Sequence, residues 1–143
     1  MTKVRPATPA DAPWVDALAR AEGLSVELTA ELERPQARAW VIDPEIGFLT
    51  AWLVADELQI QDLSVRASER RRGHGRRLLS AAELSARAEG ATSITLELRE
   101  GNHGALALYL AAGFEQVGSR PRYYDNGETA LLLTRVLKGA PVP

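Results

Sequence analysis

Residues Arg70 to Gly75 read Arg-Arg-Arg-Gly-His-Gly, and Arg76 and Arg77 follow at once. Five arginines within eight residues make a local positive patch in a chain whose net charge is −2. Glycine lets a backbone approach a bulky anion, and the unpaired N–H groups of a helix start point at one. The chemistry this order suits is the binding of a diphosphate. Two commoner glycine loops do not fit. The phosphate loop of nucleotide hydrolases needs Lys-Ser/Thr after its last glycine, where Arg76 and Arg77 stand, and the dinucleotide fingerprint needs a third glycine, where Leu78 stands. A solvated charged turn is the plain alternative, since the chain uses fifteen Arg against two Lys.

The elements around the loop must hold it. Glu57 to Val65 reads as a strand running into it, and Leu78, Leu79, Ala82 and Ala86 recur at helical spacing after it, until Gly90. Ser93 to Arg99 alternates, with Ile94, Leu96 and Leu98 on one face and Thr95, Glu97 and Arg99 on the other. Strand, helix and strand in that order make a βαβ unit, so the two strands are expected to be parallel. Upstream, Lys3 to Ala7 is a short strand, and Thr8-Pro9 opens a helix that Gly23 ends. A second helix is expected over Ser25 to Glu33 with Ser25 as N-cap. Arg38 to Ile42, Gly47 to Val54 and Glu57 to Val65 then form an antiparallel meander, with Trp40 and Trp52 as sheet-packing residues. Downstream, Asn102 caps a helix over His103 to Ala112 that Gly113 ends, and Phe114 to Arg122 and Glu128 to Leu137 close the sheet as a hairpin.

At 143 residues one domain is expected, over 1–138, with a frayed tail over 139–143. The absence of cysteine excludes disulfides, cysteine nucleophiles and thiolate metal sites, and His74 and His103 alone make a histidine-rich metal site a poor reading. The longest apolar run, Ala105 to Ala112, is far short of the ~20 residues that span a bilayer. A cytoplasmic chain without membrane or general nucleic-acid contact is expected, with a small anionic ligand at the arginine loop.

Arg-x-x-Gly-x-Gly over Arg70 to Gly75 resembles the acyl-CoA pyrophosphate loop of the GNAT N-acetyltransferase superfamily. With LELREGNHGALALYLAAGF over Leu96 to Phe114 and RPRYYDNGETA over Arg120 to Ala130, the chain is similar more narrowly to the RimI-like group of ribosomal-protein alanine N-acetyltransferases. The likeness covers roughly Ile60 to Leu137. It departs at Gly23-Leu24-Ser25-Val26-Glu27, where that group has a Pro-Trp loop helping to form the acceptor groove.

The resemblance implies an α/β (α+β) GNAT fold: a mixed, mostly antiparallel sheet splayed into a V, flanked by about four helices, with acetyl-CoA in the gap and no metal. It implies that the loop residues Arg70, Arg71, Arg72, Gly73, His74, Gly75 and Arg76 hold the pyrophosphate, that Leu63 and Val65 offer backbone contacts to the pantetheine arm, and that Asn102 touches CoA. Glu97 becomes general base, Tyr109 general acid, and Tyr123 and Tyr124 line the acceptor. The residues themselves leave plainer readings open. Glu97 is then a solvated side chain or a partner of Arg99, Tyr109 core, Asn102 only a cap, His74 and His103 loop or surface histidines, and the tyrosines packing under the hairpin.

Such groups suit amine acylation. An ammonium must lose a proton before it attacks a thioester, and an α-amine with a pKa near ~8 loses it more easily than lysine near ~10.4. The expected reaction is acetylation of a protein's N-terminal α-amine, with a ribosomal protein as the implied partner and a monomer or weak dimer as the state. Acetylation of a small amine or amino acid is the alternative, and a non-catalytic acyl-CoA-binding module the third reading.

Overall fold

The computed structural model describes residues 2–137, so the tail over 139–143 lies outside the described residues. Its strands are β1 (Lys3–Pro6), β2 (Ala37–Asp43), β3 (Gly47–Val54), β4 (Glu57–Val65), β5 (Ser93–Arg99), β6 (Glu115–Arg120) and β7 (Ala130–Val136). Its helices are α1 (Ala12–Ala21), α2 (Leu28–Leu32), α3 (His74–Ala88) and α4 (His103–Ala111). The strands make one sheet in the order β1-β2-β3-β4-β5-β7-β6. Only β4 and β5 pair in parallel, as the α3 crossover between them requires.

That parallel pairing is short. It runs through Glu57↔Ser93, Leu58↔Ile94 and Gln59↔Thr95 and stops, while β4 continues to Val65 and β5 to Arg99. β3 holds β4 on one side, with Gly47↔Val65 at the far end, and β7 holds β5 on the other, with Arg99↔Ala130. The two half-sheets therefore part beyond Gln59, and the expected V is present.

Each face carries its own core. Leu49, Ala51, Leu58 and Ile60 pack with Leu78, Leu79, Ala82 and Ala86 of α3, with Ile94, Leu96 and Leu98 of β5, and with Tyr109. The opposite face carries Val15 and Ala19 of α1, Leu28 of α2, and Ala39, Val41 and Phe48. Leu78 and Ala82 are fully buried, as their helical spacing requires.

Two local expectations change. Pro9–Asp11 forms a 3-10 turn ahead of α1, and the Thr8 N–H donates to Asp11 Oδ2 at 2.9 Å. The second helix spans only Leu28–Leu32 rather than Ser25 to Glu33, and its N-cap position is Glu27. Asp16 of α1 does the capping, its Oδ1 accepting the Leu28 N–H at 3.0 Å. A cap supplied from a neighbouring helix has no local sequence signature, which is why the sequence points to Ser25 and the structure to Asp16.

Candidate functional site

β4 contains the feature that organises the site. Ala51 pairs with Ile60 and Thr50 pairs with Asp62, so Gln61 is an extra residue and the register shifts there. Such a bulge reverses which face the following side chains occupy. Leu63 and Val65 consequently lie on the α3 side, opposite Leu49 and Gly47, whereas Asp62 lies over Thr50 on the other face. Glu97, between Leu96 and Leu98 of the α3-side core, shares the face of Asp62.

On the α3 side a cleft of about 800 Å³ opens between β4, the arginine loop and α4. Leu63, Val65, Arg70, Arg71, Gly73, His74, Gly75, Arg76, Asn102 and Tyr109 all border it. Gly73 is the N-cap of α3 with φ +80, a conformation that suits glycine, and the helix start, whose first N–H groups have no partner within the helix, borders the cleft. Gly75 serves close packing instead: a Cβ there would stand 3.0 Å from Leu108 Cδ2 of α4. Open backbone donors at a helix start, beside cationic side chains, fit a diphosphate.

The arginines divide among several tasks. Arg70 Nε donates to the Val65 carbonyl at 3.0 Å, and the same side chain pairs with Glu22 at the end of α1. Arg72 turns to Glu69 at 2.9 Å and does not border the cleft. Arg76 donates to the Ala111 carbonyl at 2.8 Å. Arg71, at φ +64, makes no ion pair among the described residues and stands in the cleft wall. His74 is buried rather than on the surface, with Nδ1 3.4 Å from Arg77 Nη1, while His103 is exposed.

Asn102 does cap α4, its Oδ1 accepting the Ala105 N–H at 3.2 Å, and it reaches the cleft as well. Tyr109 is 6% exposed, edge-on to Phe114 at 5.4 Å. Burial first, and the nearby charge of Asp62 second, push its phenol well above the ordinary value. It therefore stays protonated at neutral pH, with its O–H available to donate.

Across the sheet a second groove, about 630 Å³, runs between β3–β4 and the β6–β7 hairpin. Trp52, Glu57, Gln59, Gln61, Glu97, Arg120 and Tyr124 border it. Glu97 pairs with Arg120 at 3.4 Å, not with Arg99. Arg99 instead stacks on the Tyr124 ring at 3.9 Å and reaches Glu128 at 3.7 Å. Tyr123, half exposed, edge-on to Tyr124 and beneath Arg120, is not among the residues that border the groove. Trp52, expected only to pack the sheet, lines this groove and donates its indole N–H to Glu31.

Asp62 was not singled out in the sequence. It is half-buried and accepts a hydrogen bond from Thr50 Oγ1 at 3.3 Å. It lines a pocket of about 140 Å³ with Ser25, Val26, Glu31, Thr50, Trp52 and Gln61, continuous in its walls with the larger groove through Trp52 and Gln61. The signal was present: the apolar positions of LQIQDLSV fall on Leu58 and Ile60 and then on Leu63 and Val65, a slip of one residue that marks the bulge.

A cleft that suits a long anionic donor on one face, and a groove with a carboxylate on the other, both lie beside the point where β4 and β5 part, which is the layout of a group-transfer enzyme working on two substrates. The model of the acetyltransferase (GNAT) family matches residues 8–114, and the chain belongs to that family as an acetyl-CoA-dependent N-acetyltransferase. More particularly, it is 34% identical over 106 residues to a Bacillus subtilis (strain 168) protein provisionally named ribosomal protein bS18-alanine N-acetyltransferase, covering 71% of this chain and 70% of that one. It is 44% identical over 80 residues to the N-alpha-acetyltransferase RimI of Mycobacterium tuberculosis (strain ATCC 25618 / H37Rv), covering 55% of this chain and about half, 49%, of that protein. The crystal structure of the ribosomal-protein-S18-alanine N-acetyltransferase from Escherichia coli superposes with a TM-score of 0.84 at 22% identity, covering 100% of this chain and 99% of that one. No helix among the described residues is long and apolar enough to cross a membrane.

Proposed function

We propose that this acetyltransferase acts on the α-amine at the amino terminus of a protein, with a ribosomal protein as the acceptor. The observation that carries the reading is the pair of openings beside the end of the β4–β5 pairing, with Tyr109 in one wall and Glu97 in the other. A groove of about 630 Å³ walled by a hairpin has room for an extended chain end. The names of the bS18-directed relatives support the same acceptor.

Acetyl-CoA supplies the acetyl thioester. In this reading the α3 N-terminus with Arg71 and Arg76 binds its diphosphate, and the β4 backbone at Leu63 and Val65, left without a β5 partner, orients its arm. Glu97, at the open mouth of the groove, draws the acceptor proton off through water, a service typically worth ~10²–10⁴ in rate. The Tyr109 hydroxyl donates to the leaving sulfur. Tyr123 and Tyr124 line the acceptor chain. A chain end is favoured over lysine because the lysine pKa would have to fall by roughly two to three units, about 3–4 kcal/mol.

The test is kcat/KM for a short peptide beginning with alanine, the same peptide with a blocked amino terminus and an internal lysine, and a set of free amino acids and polyamines. The unblocked peptide is expected to be fastest. Equal or faster turnover of the blocked peptide overturns the α-amine preference, and equal or faster turnover of the small amines assigns a small-molecule acceptor.

A further inference from the structure

The β4 bulge puts a further carboxylate, Asp62, on the face of the groove that Glu57 and Glu97 border, and its surroundings are unlike those of Glu97. The Glu97 side chain is 36% exposed and held by Arg120. Asp62 is half-buried, has no cationic partner among the described residues, and stands just past the last β4–β5 pair, Gln59↔Thr95, where the sheet opens. The groups facing it are Thr50 and Trp52 from β3, Glu31 from α2 with its Arg34 partner at 3.5 Å, Ser25 from the α1–α2 connection, Gln61 beside it, and the Tyr109 phenol from α4.

We propose that Asp62 is a further catalytic residue, the carboxylate that meets the acceptor ammonium at the splay and takes its proton, which Glu97 at the groove mouth then carries to solvent. The inference rests on amine acetylation at this site but not on which amine is preferred. In the step, one N–H bond breaks and its electron pair stays on nitrogen as the attacking lone pair, while the proton moves to an Asp62 oxygen. The C–N bond forms as the C–S bond breaks, and sulfur keeps that pair. Of the two protons nitrogen sheds between ammonium and amide, one ends on the CoA sulfur and the other in solvent.

Two features support this assignment. Burial, followed by the charge of Glu31, raises the Asp62 pKa against the lowering effect of the Thr50 hydrogen bond, bringing it nearer to the operating pH, where a general base works best. The Asp62 charge, after burial, raises the Tyr109 pKa, so protonating Asp62 removes that second restraint and makes the phenol a better acid as the sulfur departs. Proton uptake by Asp62 thus favours both the attack on the thioester and the protonation of the leaving sulfur by Tyr109.

The test is the pH dependence of kcat/KM on the acid side, measured with the alanine peptide or with whichever amine in the acceptor panel turns over fastest. Asp62→Asn is expected to lower kcat/KM by about 10²-fold and abolish the acid limb, with acetyl-CoA affinity and thermal midpoint kept. Glu97→Gln is expected to slow turnover while keeping the limb. Thr50→Val removes the hydrogen bond that favours the anion, so it moves the limb to higher pH, and it carries the test if Asp62→Asn does not fold. A wild-type limb in Asp62→Asn, an unmoved limb in Thr50→Val, or loss of the limb in Glu97→Gln alone overturns the proposal. Failure of the peptide preference leaves each of these readouts intact, so the two proposals fail separately.

Discussion

The Glu128 carboxylate accepts the Gly101 N–H at 3.1 Å, and by that contact the tip of the β6–β7 hairpin is fastened to the turn that carries Asn102. Asn126 Nδ2 donates to the other carboxylate oxygen at 2.8 Å, and the Glu100 N–H donates to the Thr129 carbonyl at 3.0 Å. A residue of the hairpin beside the groove thus holds the turn that leads into the cleft at Asn102. Glu128→Ala should raise the KM for acceptor several-fold while kcat falls less and the fold persists. Gly101→Ala should give the same signature, because its Cβ would stand 2.9 Å from Glu128 Oε2 and displace the carboxylate. Unchanged acceptor KM in both variants removes the latch from the account.

Tyr109→Phe keeps the ring in its packed place against Phe114 and deletes only the donor. We expect kcat to fall about 10²-fold with little change in acetyl-CoA affinity. Steady-state kinetics and calorimetry decide it. Wild-type turnover would make the residue part of the core and nothing more.

Gly73→Glu combines a left-handed position, φ +80, with a carboxylate at the helix start. Acetyl-CoA binding should be lost in calorimetry while the thermal midpoint drops by only a few degrees, since the position is exposed. Wild-type affinity should also weaken as salt is raised, because exposed charges are screened. Retained affinity in the variant would remove the loop from the donor site.

Asp11 is 4% exposed and takes Arg5 at 2.8 and 2.9 Å, and Arg5 reaches on to Asp43 at 2.8 Å. The Arg5 hydrogen bond lowers the Asp11 pKa from 3.8 to about 2, against the opposing effect of burial. A depressed carboxylate pKa contributes stability that is fully present above the unfolded value and is lost as pH falls through the folded one. About 2 kcal/mol should therefore disappear between roughly pH 5 and pH 2. Denaturant melts across that range should show a smaller acid loss for Asp11→Asn than for the wild type. An equal loss in both would assign the acid sensitivity elsewhere.

The periodicities of this chain determine most of its architecture. Leu78, Leu79, Ala82 and Ala86 specify one buried helix face, Ile94, Leu96 and Leu98 one buried strand face, and Gly23, Gly90 and Gly113 helix ends with positive φ. These are local matters: a period and a left-handed residue act within a few positions, so the sequence carries them openly. The α2 boundary was not legible, because its cap comes from Asp16, twelve residues earlier and on another helix. Nor did the pattern alone separate the roles of the two loop glycines, since only the approach of Leu108 shows why Gly75 is small. The composition of the loop pointed to an anion, but which arginines face it depends on a local pair of Arg72 with Glu69 and on a pair of Arg70 with Glu22 that forms only when α1 and the loop are brought together. Asp62 is the sharpest instance: its residue type was in plain view, yet its side of the sheet follows from one extra residue set against β3, and a register exists only between two strands.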